Sequence, residues 1–148
     1  MAKEIVYKAK TQLALNTLFS IGVAQNILQE KMHAYIKTTG LTDAQFAIID
    51  ILGHNGPLKI SEIYKRMLIK SGNKTMILDS LEEKDLIKRI FSKNDRREII
   101  IELTQVGEKF FADNYKGFST YVEKTLSVIS LTEQKELNTL LNKLSEKI

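Results

Sequence analysis

From about Lys8 to Thr38 the apolar residues Leu18, Ile21, Leu28, Met32, Tyr35 and Ile36 recur at helical spacing, which predicts one long amphipathic helix ending near Gly40. A helix of that length calls for a packing partner. Thr42-Asp43-Ala44-Gln45 has capping-box spacing: the threonine hydroxyl can accept from the third helical N–H while the glutamine reaches back. A second helix therefore starts there, buries Phe46, Ile49 and Leu52, and is expected to stop within Gly53 to Pro57. A third helix is predicted over roughly Ser61 to Leu68, with Ile60, Ile63, Met67 and Leu68 inward. Ser71-Gly72-Asn73 interrupts it, and Ser71 can cap a fourth helix running to about Glu83, with Ile77, Leu78 and Leu81 on one face and an end near Asp85.

The period then changes. Leu86 to Ser92 and Glu98 to Leu103 are rich in β-branched and aromatic residues and flank Lys93-Asn94-Asp95-Arg96-Arg97, which predicts a hairpin with a charged tip. Thr104 can cap a further helix carrying Val106, Phe110, Phe111, Tyr115, Phe118 and Val122 as a stripe. Leu131-Thr132 opens a last helix bearing Leu137, Leu140, Leu141, Leu144 and Ile148. The fold class is mainly α with a small β-hairpin. Two short helices joined by a glycine-containing turn are the signature of a helix-turn-helix, and the following hairpin makes it winged.

With 148 residues, 43% of them hydrophobic and 27% charged, the chain suits one folded domain. Lys3, Lys8 and Lys10 ahead of Leu13 to Val23 loosely imitate a signal peptide, but Asn16 and Ser20 interrupt the stretch and the helical period continues past it. The expectation is a cytoplasmic protein with no membrane partner. The absence of cysteine excludes disulfides, thiolate metal ligation and thiol redox switching.

Charge adds a location. Lys59 to Arg97 carries eleven basic and six acidic residues, whereas the flanks together carry eleven and twelve. A basic centre between near-neutral flanks is the electrostatic footprint of a nucleic-acid-binding lobe on a scaffold, though a solvated lysine-rich surface has the same composition.

Leu41-Thr42, Gln45-Phe46, Ser71-Gly72-Asn73, Thr75, Asp79, Leu81-Glu82, Leu86-Ile87, Asp95-Arg96-Arg97, Leu103-Thr104 and Gly107 occur in that order. The ordered set resembles the MarR-type (multiple antibiotic resistance regulator) winged-helix family. The resemblance implies one domain spanning 1–148, with a DNA-binding lobe at about 41–107 and dimerisation helices at about 8–38 and 104–148. It also implies a homodimer on a pseudo-palindromic double-stranded operator, acting as a repressor released by a small-molecule effector, with no cofactor. One position departs from the pattern: Asp85 stands where similar sequences have a helix-ending glycine. Asp tolerates the left-handed conformation better than most residues, at some cost, so the helix end is expected to differ slightly.

In a helix-turn-helix the first turn of the second helix lies nearest the base edges. Here that turn brings Ser71, Asn73, Lys74, Thr75 and Met76. Asn73 can donate to and accept from adenine, Lys74 can reach guanine or phosphate, and Thr75 offers a hydroxyl or a methyl to thymine. Each also has a structural reading: Ser71 as a cap, Thr75 as a packed first-turn residue, and Lys74 as a solvated lysine whose stem lies near the Ile77 and Leu81 face. In similar wings an acidic residue orients an arginine at the minor groove, a pattern that Asp95 and Arg97 match, while Arg96 and Lys93 would meet phosphate.

Other readings stand beside this one. A winged helix can serve as a protein-interaction or small-molecule-binding module without DNA affinity. An enzyme is not expected, because His33 and His54 sit in no nucleophile motif and no phosphate-cradling glycine pattern occurs. Glu30 and His33 suggest a zinc sensor, but lone helical histidines are more often structural, so no metal is expected. Tyr35, His54, Tyr64 and Tyr115 are candidates for lining an effector cleft or, more commonly, for core and surface aromatics.

Overall fold

The computed structural model describes residues 7–67, 74–91 and 98–147. In chain order the elements are α1 (Ala9–Thr38), α2 (Asp43–Asn55), β1 (Leu58–Lys59), α3 (Ile60–Arg66), α4 (Lys74–Glu83), β2 (Ile87–Phe91), β3 (Ile99–Leu103), α5 (Gln105–Leu126) and α6 (Leu131–Ser145). No helix among the described residues is long and apolar enough to cross a membrane.

The capping box of α2 forms as its sequence predicts: Gln45 N–H donates to Thr42 Oγ1 at 3.3 Å, and Thr42 N–H donates to Gln45 Oε1 at 2.9 Å. The helix stops inside the predicted stretch. It continues to Asn55, and the reversal falls at Gly56, whose φ is 72°. Gly53 lies near the end of the helix with the Phe111 ring of α5 against it, a Cβ there falling 2.4 Å from the ring.

The hairpin appears as predicted, antiparallel, with Ile87 opposite Leu103 and Phe91 opposite Ile99. A third strand, β1, pairs Leu58 with Ile101 and completes the order β1-β3-β2. At two residues it is too short to show a period in the sequence.

The fully buried side chains are Ile48, Ile49, Leu52, Ile63, Leu78, Leu81, Ile87 and Ile101. All lie between Leu41 and Leu103, so the core sits inside the helix-turn-helix and its sheet. Each contributes about 1.5–3 kcal/mol relative to exposure. The terminal helices are different. Along α1 only Ile36 is buried; Leu18 and Leu28, placed on the predicted inner stripe, are exposed. On α5, Phe110, Phe111 and Phe118 pack on the core while Val106 of the predicted stripe is exposed. Helix α6 has no buried residue at all. Ile148, assigned to its apolar face, lies outside the described residues, as does Leu68 of the predicted third helix.

Candidate nucleic-acid interface

Helix α4 buries Leu78 and Leu81 and half-buries Ile77, which leaves Met76, Asp79 and Glu83 on the opposite face at 3.6 residues per turn. Thr75 is exposed rather than packed, and Met76 is 65% exposed. An exposed thioether in a first turn is an apolar group held out to solvent, available to a thymine methyl. Lys74 opens the helix. Ser71, Asn73, Lys93, Asp95, Arg96 and Arg97 lie outside the described residues.

Two side chains outside that set hold α4 in place. Gln45, having capped α2, uses its remaining amide: Nε2 donates to Ser80 Oγ at 2.9 Å, binding the second helix to the fourth. Buried to 8% exposure, Gln45 satisfies both its acceptor and its donor this way. Arg89 of β2 projects the other way across the lobe. Its Nη2 lies 2.5 Å from Asp79 Oδ1, and its Nη1 donates to Glu82 Oε2. The Asp79 hydrogen bond chiefly, with the Glu82 charge, holds the guanidinium above its usual pKa. Tyr64 of α3 stands beside this node. Burial pushes its phenol up, and Arg89 and Asp79 act on it in opposite directions.

Arg89 was absent from the residues picked out in the sequence, yet a signal was there. In β2 the buried Ile87 and Arg89 share one face while Lys88 points outward. A charged residue in register with a buried isoleucine needs a partner. The same strands qualify the basic centre. Lys88 pairs with Glu102 at 2.7 Å across the ladder, and Lys59 pairs with Glu98 at 2.6 Å. Part of the local positive charge is thus spent within the protein.

The end of α4 meets its departure from pattern directly. Asp85 has φ 55°, in the left-handed region. Leu86 N–H reaches Leu81 O at 3.0 Å and Asp85 N–H reaches Glu82 O at 2.9 Å, the two bonds of a Schellman motif, with Leu81 and Leu86 both buried. The helix ends where a glycine would end it.

Both histidines have side-chain partners within the fold. His33 Nδ1 lies 2.9 Å from Asp43 Oδ1, joining α1 to the start of α2. His54 Nδ1 lies 2.8 Å from the Asp50 carbonyl oxygen, and its ring meets Tyr115 edge-on at 4.5 Å. Among the described residues no cluster of three or more His, Cys, Asp or Glu is arranged to hold a metal ion.

A cavity of 840 Å³ opens between α1, α2, the end of α3 and α6, with Leu28, Met32, Phe46, Arg66, Met67 and Leu141 among its walls. Asp50 also reaches it, with Oδ1 buried and without a hydrogen-bond partner; His54 Nδ1 is 3.4 Å away but directed to the Asp50 carbonyl. Tyr35, His54, Tyr64 and Tyr115 are not among the walls. Tyr35 instead donates to the Asn114 carbonyl and packs on Phe118 and Tyr121.

Residues 41–99 match the MarR family profile. The chain is 33% identical to the HTH-type transcriptional repressor MdtR of Bacillus subtilis over 130 residues, 88% of this chain and 83% of that one. Its fold matches a MarR-like transcription regulator from Bacillus cereus ATCC 10987 with a TM-score of 0.81 at 20% identity, covering 93% and 99% of the two chains. Two further structures share the fold at 22% identity. Reduced AbfR, solved bound to DNA, has a TM-score of 0.70 over 93% of this chain and 94% of its own. NadR, solved with 4-hydroxyphenylacetate, has a TM-score of 0.72 over the whole of both chains. Carrying the family's profile across its helix-turn-helix and a close kinship to a repressor along most of its length, this chain belongs to the MarR family, and so to the transcriptional regulators rather than the enzymes.

Proposed function

We propose that the protein is a homodimeric, sequence-specific DNA-binding regulator that works in the cytoplasm as a repressor released by a small molecule. Residues 41–107 form the reading lobe, and 8–38 with 104–148 the dimer base. The segment from Ser71 into the first turn of α4 enters the major groove, with Ser71, Asn73, Lys74, Thr75 and Met76 toward base edges and phosphate. The wing tip brings Asp95 and Arg97 to the minor groove, and Lys93 and Arg96 to phosphate.

The carrying observation is the exposed first turn of α4 on a helix held from below by Gln45 and from the wing by Arg89. Such rigid support is what base reading requires. Dimerisation draws on α6, a 15-residue helix with no buried residue and with Leu137, Leu140, Leu141 and Leu144 exposed. A helix of that length is marginal alone in water and needs its apolar face covered. A second copy would place two α4 helices in major grooves about 34 Å apart.

The 840 Å³ cavity is the effector site in this reading. Its walls are largely apolar, with Arg66 at the rim; the aromatic acid carried by NadR suggests a ligand of that class, its carboxylate at Arg66. Arg66 and Met67 end α3 just before the segment leading to α4, so a ligand there would act on the spacing of the two reading helices.

Measuring affinity for a duplex selected from a random pool, as a function of salt, tests the proposal. A steep negative dependence of log affinity on log salt is expected. A flat dependence would favour the second reading, a winged-helix interaction module without DNA affinity, for which the internal pairing of Lys59, Lys88 and Arg89 speaks.

A further inference from the structure

We infer that Arg89 is a positioning residue for DNA reading that works by offsetting charge: it holds the carboxylates of Asp79 and Glu82 so that together they oppose DNA phosphate less. The inference rests on the reading of α4 as the DNA-contacting helix.

Asp79 lies one turn beyond Thr75 and three residues beyond Met76, on the face turned away from Leu78 and Leu81. Its side chain is 47% exposed, and Glu82 on the adjoining flank is 39% exposed. Two carboxylates on the reading side of a helix are a poor match for a duplex that carries a negative charge about every 1.7 Å. The guanidinium of Arg89, itself 26% exposed, meets one carboxylate with each terminal nitrogen. A planar fork suits that double task, whereas a lysine ammonium is a single point charge. The trio carries a net charge of about −1 with the arginine and −2 without it.

The fold does not depend on this node to the same degree. Partly exposed ion pairs contribute about 0–1 kcal/mol to stability, far less than the eight fully buried aliphatic side chains of the lobe. Loss of Arg89 should therefore appear first in DNA affinity.

The test compares full-length wild type, R89M, R89K and the triple variant R89M/D79N/E82Q on a fluorescent duplex selected by the wild type, across a salt series, with thermal unfolding alongside. R89M is expected to bind about tenfold more weakly at low salt, with the deficit narrowing as salt screens it. The triple variant should recover to within about threefold of wild type, since it removes the stranded carboxylates, and R89K should fall between. R89M binding as tightly as wild type overturns the inference, and so does a triple variant as weak as R89M, which would assign Arg89 a purely geometric role. If R89M does not fold, D79N in the wild-type background decides: it should bind duplex more tightly with a steeper salt slope, and unchanged binding overturns the inference. Failure of the wild type itself to bind any duplex defeats the DNA reading, whereas wild-type binding with an indifferent R89M defeats only the role of Arg89.

Discussion

A Cβ on Gly107 would lie 1.9 Å from the carbonyl oxygen of Leu86, so the first turn of α5 rests directly on the main chain that leaves α4. Leu86 serves three elements there. Its N–H ends α4 at Leu81 O, its carbonyl accepts from Thr104 N–H at 3.1 Å, and its side chain is buried beside Leu81. Thr104 Oγ1 in turn caps α5, accepting from Gly107 N–H at 3.0 Å. Backbone cannot yield as a flexible side chain can, so Gly107→Ala is expected to destabilise the protein by roughly 3 kcal/mol or more. Urea unfolding measures this, and a loss well under 1 kcal/mol would contradict the close approach.

Asp85 supports a prediction of opposite sign. At φ 55° an L-residue is strained and glycine is not, while the Schellman bonds around it involve main chain alone. Replacing Asp85 with Gly should stabilise the protein by roughly 0.5–1 kcal/mol. A thermal midpoint raised by a few degrees is the expected reading; a lowered one would show that the aspartate side chain contributes something the left-handed backbone does not require.

The exposed leucines of α6 give a test of assembly. Leu140 and Leu144 lie one turn apart on its apolar face. Placing glutamate at both positions should shift the sedimenting species from dimer to monomer and weaken duplex binding, because two linked reading helices bind far more tightly than one. A wild type that already sediments as a monomer would remove dimerisation from the account.

Two carboxylates should leave opposite marks on stability against pH. Burial pushes the Asp50 carboxyl above its ordinary 3.8, with His54 partly offsetting. The folded state then holds that proton more readily than the unfolded chain, so this contribution is full below 3.8 and lost as pH rises through the folded value. Glu133 behaves in reverse. The Ser130 hydroxyl and then its N–H hold the carboxyl below its ordinary 4.5, so its contribution is present above 4.5 and lost as pH falls through the folded value. Asp50→Asn should therefore raise stability at neutral pH and remove a downward slope, while Glu133→Gln should lower stability there. Urea midpoints from about pH 3 to 7 check both signs.

What could be read without coordinates was local. The Thr42 and Gln45 box and the Thr104 cap each depend on residues within a few positions of one another and form as their spacing implies, whereas the end at Asp85, expected to differ slightly, keeps the left-handed ending a glycine would give. The α6 cap is equally local, since Ser130 and Glu133 hold capping-box spacing and make that box. The candidate site divides differently. Thr75 and Met76 are exposed in the first turn of α4, while the wing residues Lys93, Asp95, Arg96 and Arg97 lie outside the described residues.

The amino-acid sequence by itself determined the order of helices, the hairpin and the family, because period, caps and turn residues act over one or two turns of chain. Only the tertiary structure decided that Gln45 reaches Ser80 and that Arg89 gathers Asp79 and Glu82. Those outcomes turn on groups 35, 10 and 7 residues apart in sequence, brought together by packing of the lobe. No local period encodes which buried polar group will find which partner. For the buried Gln45 the interior sets that choice, because a donor left unpaired there costs about 1–3 kcal/mol, and the elements settle where the pairing is met.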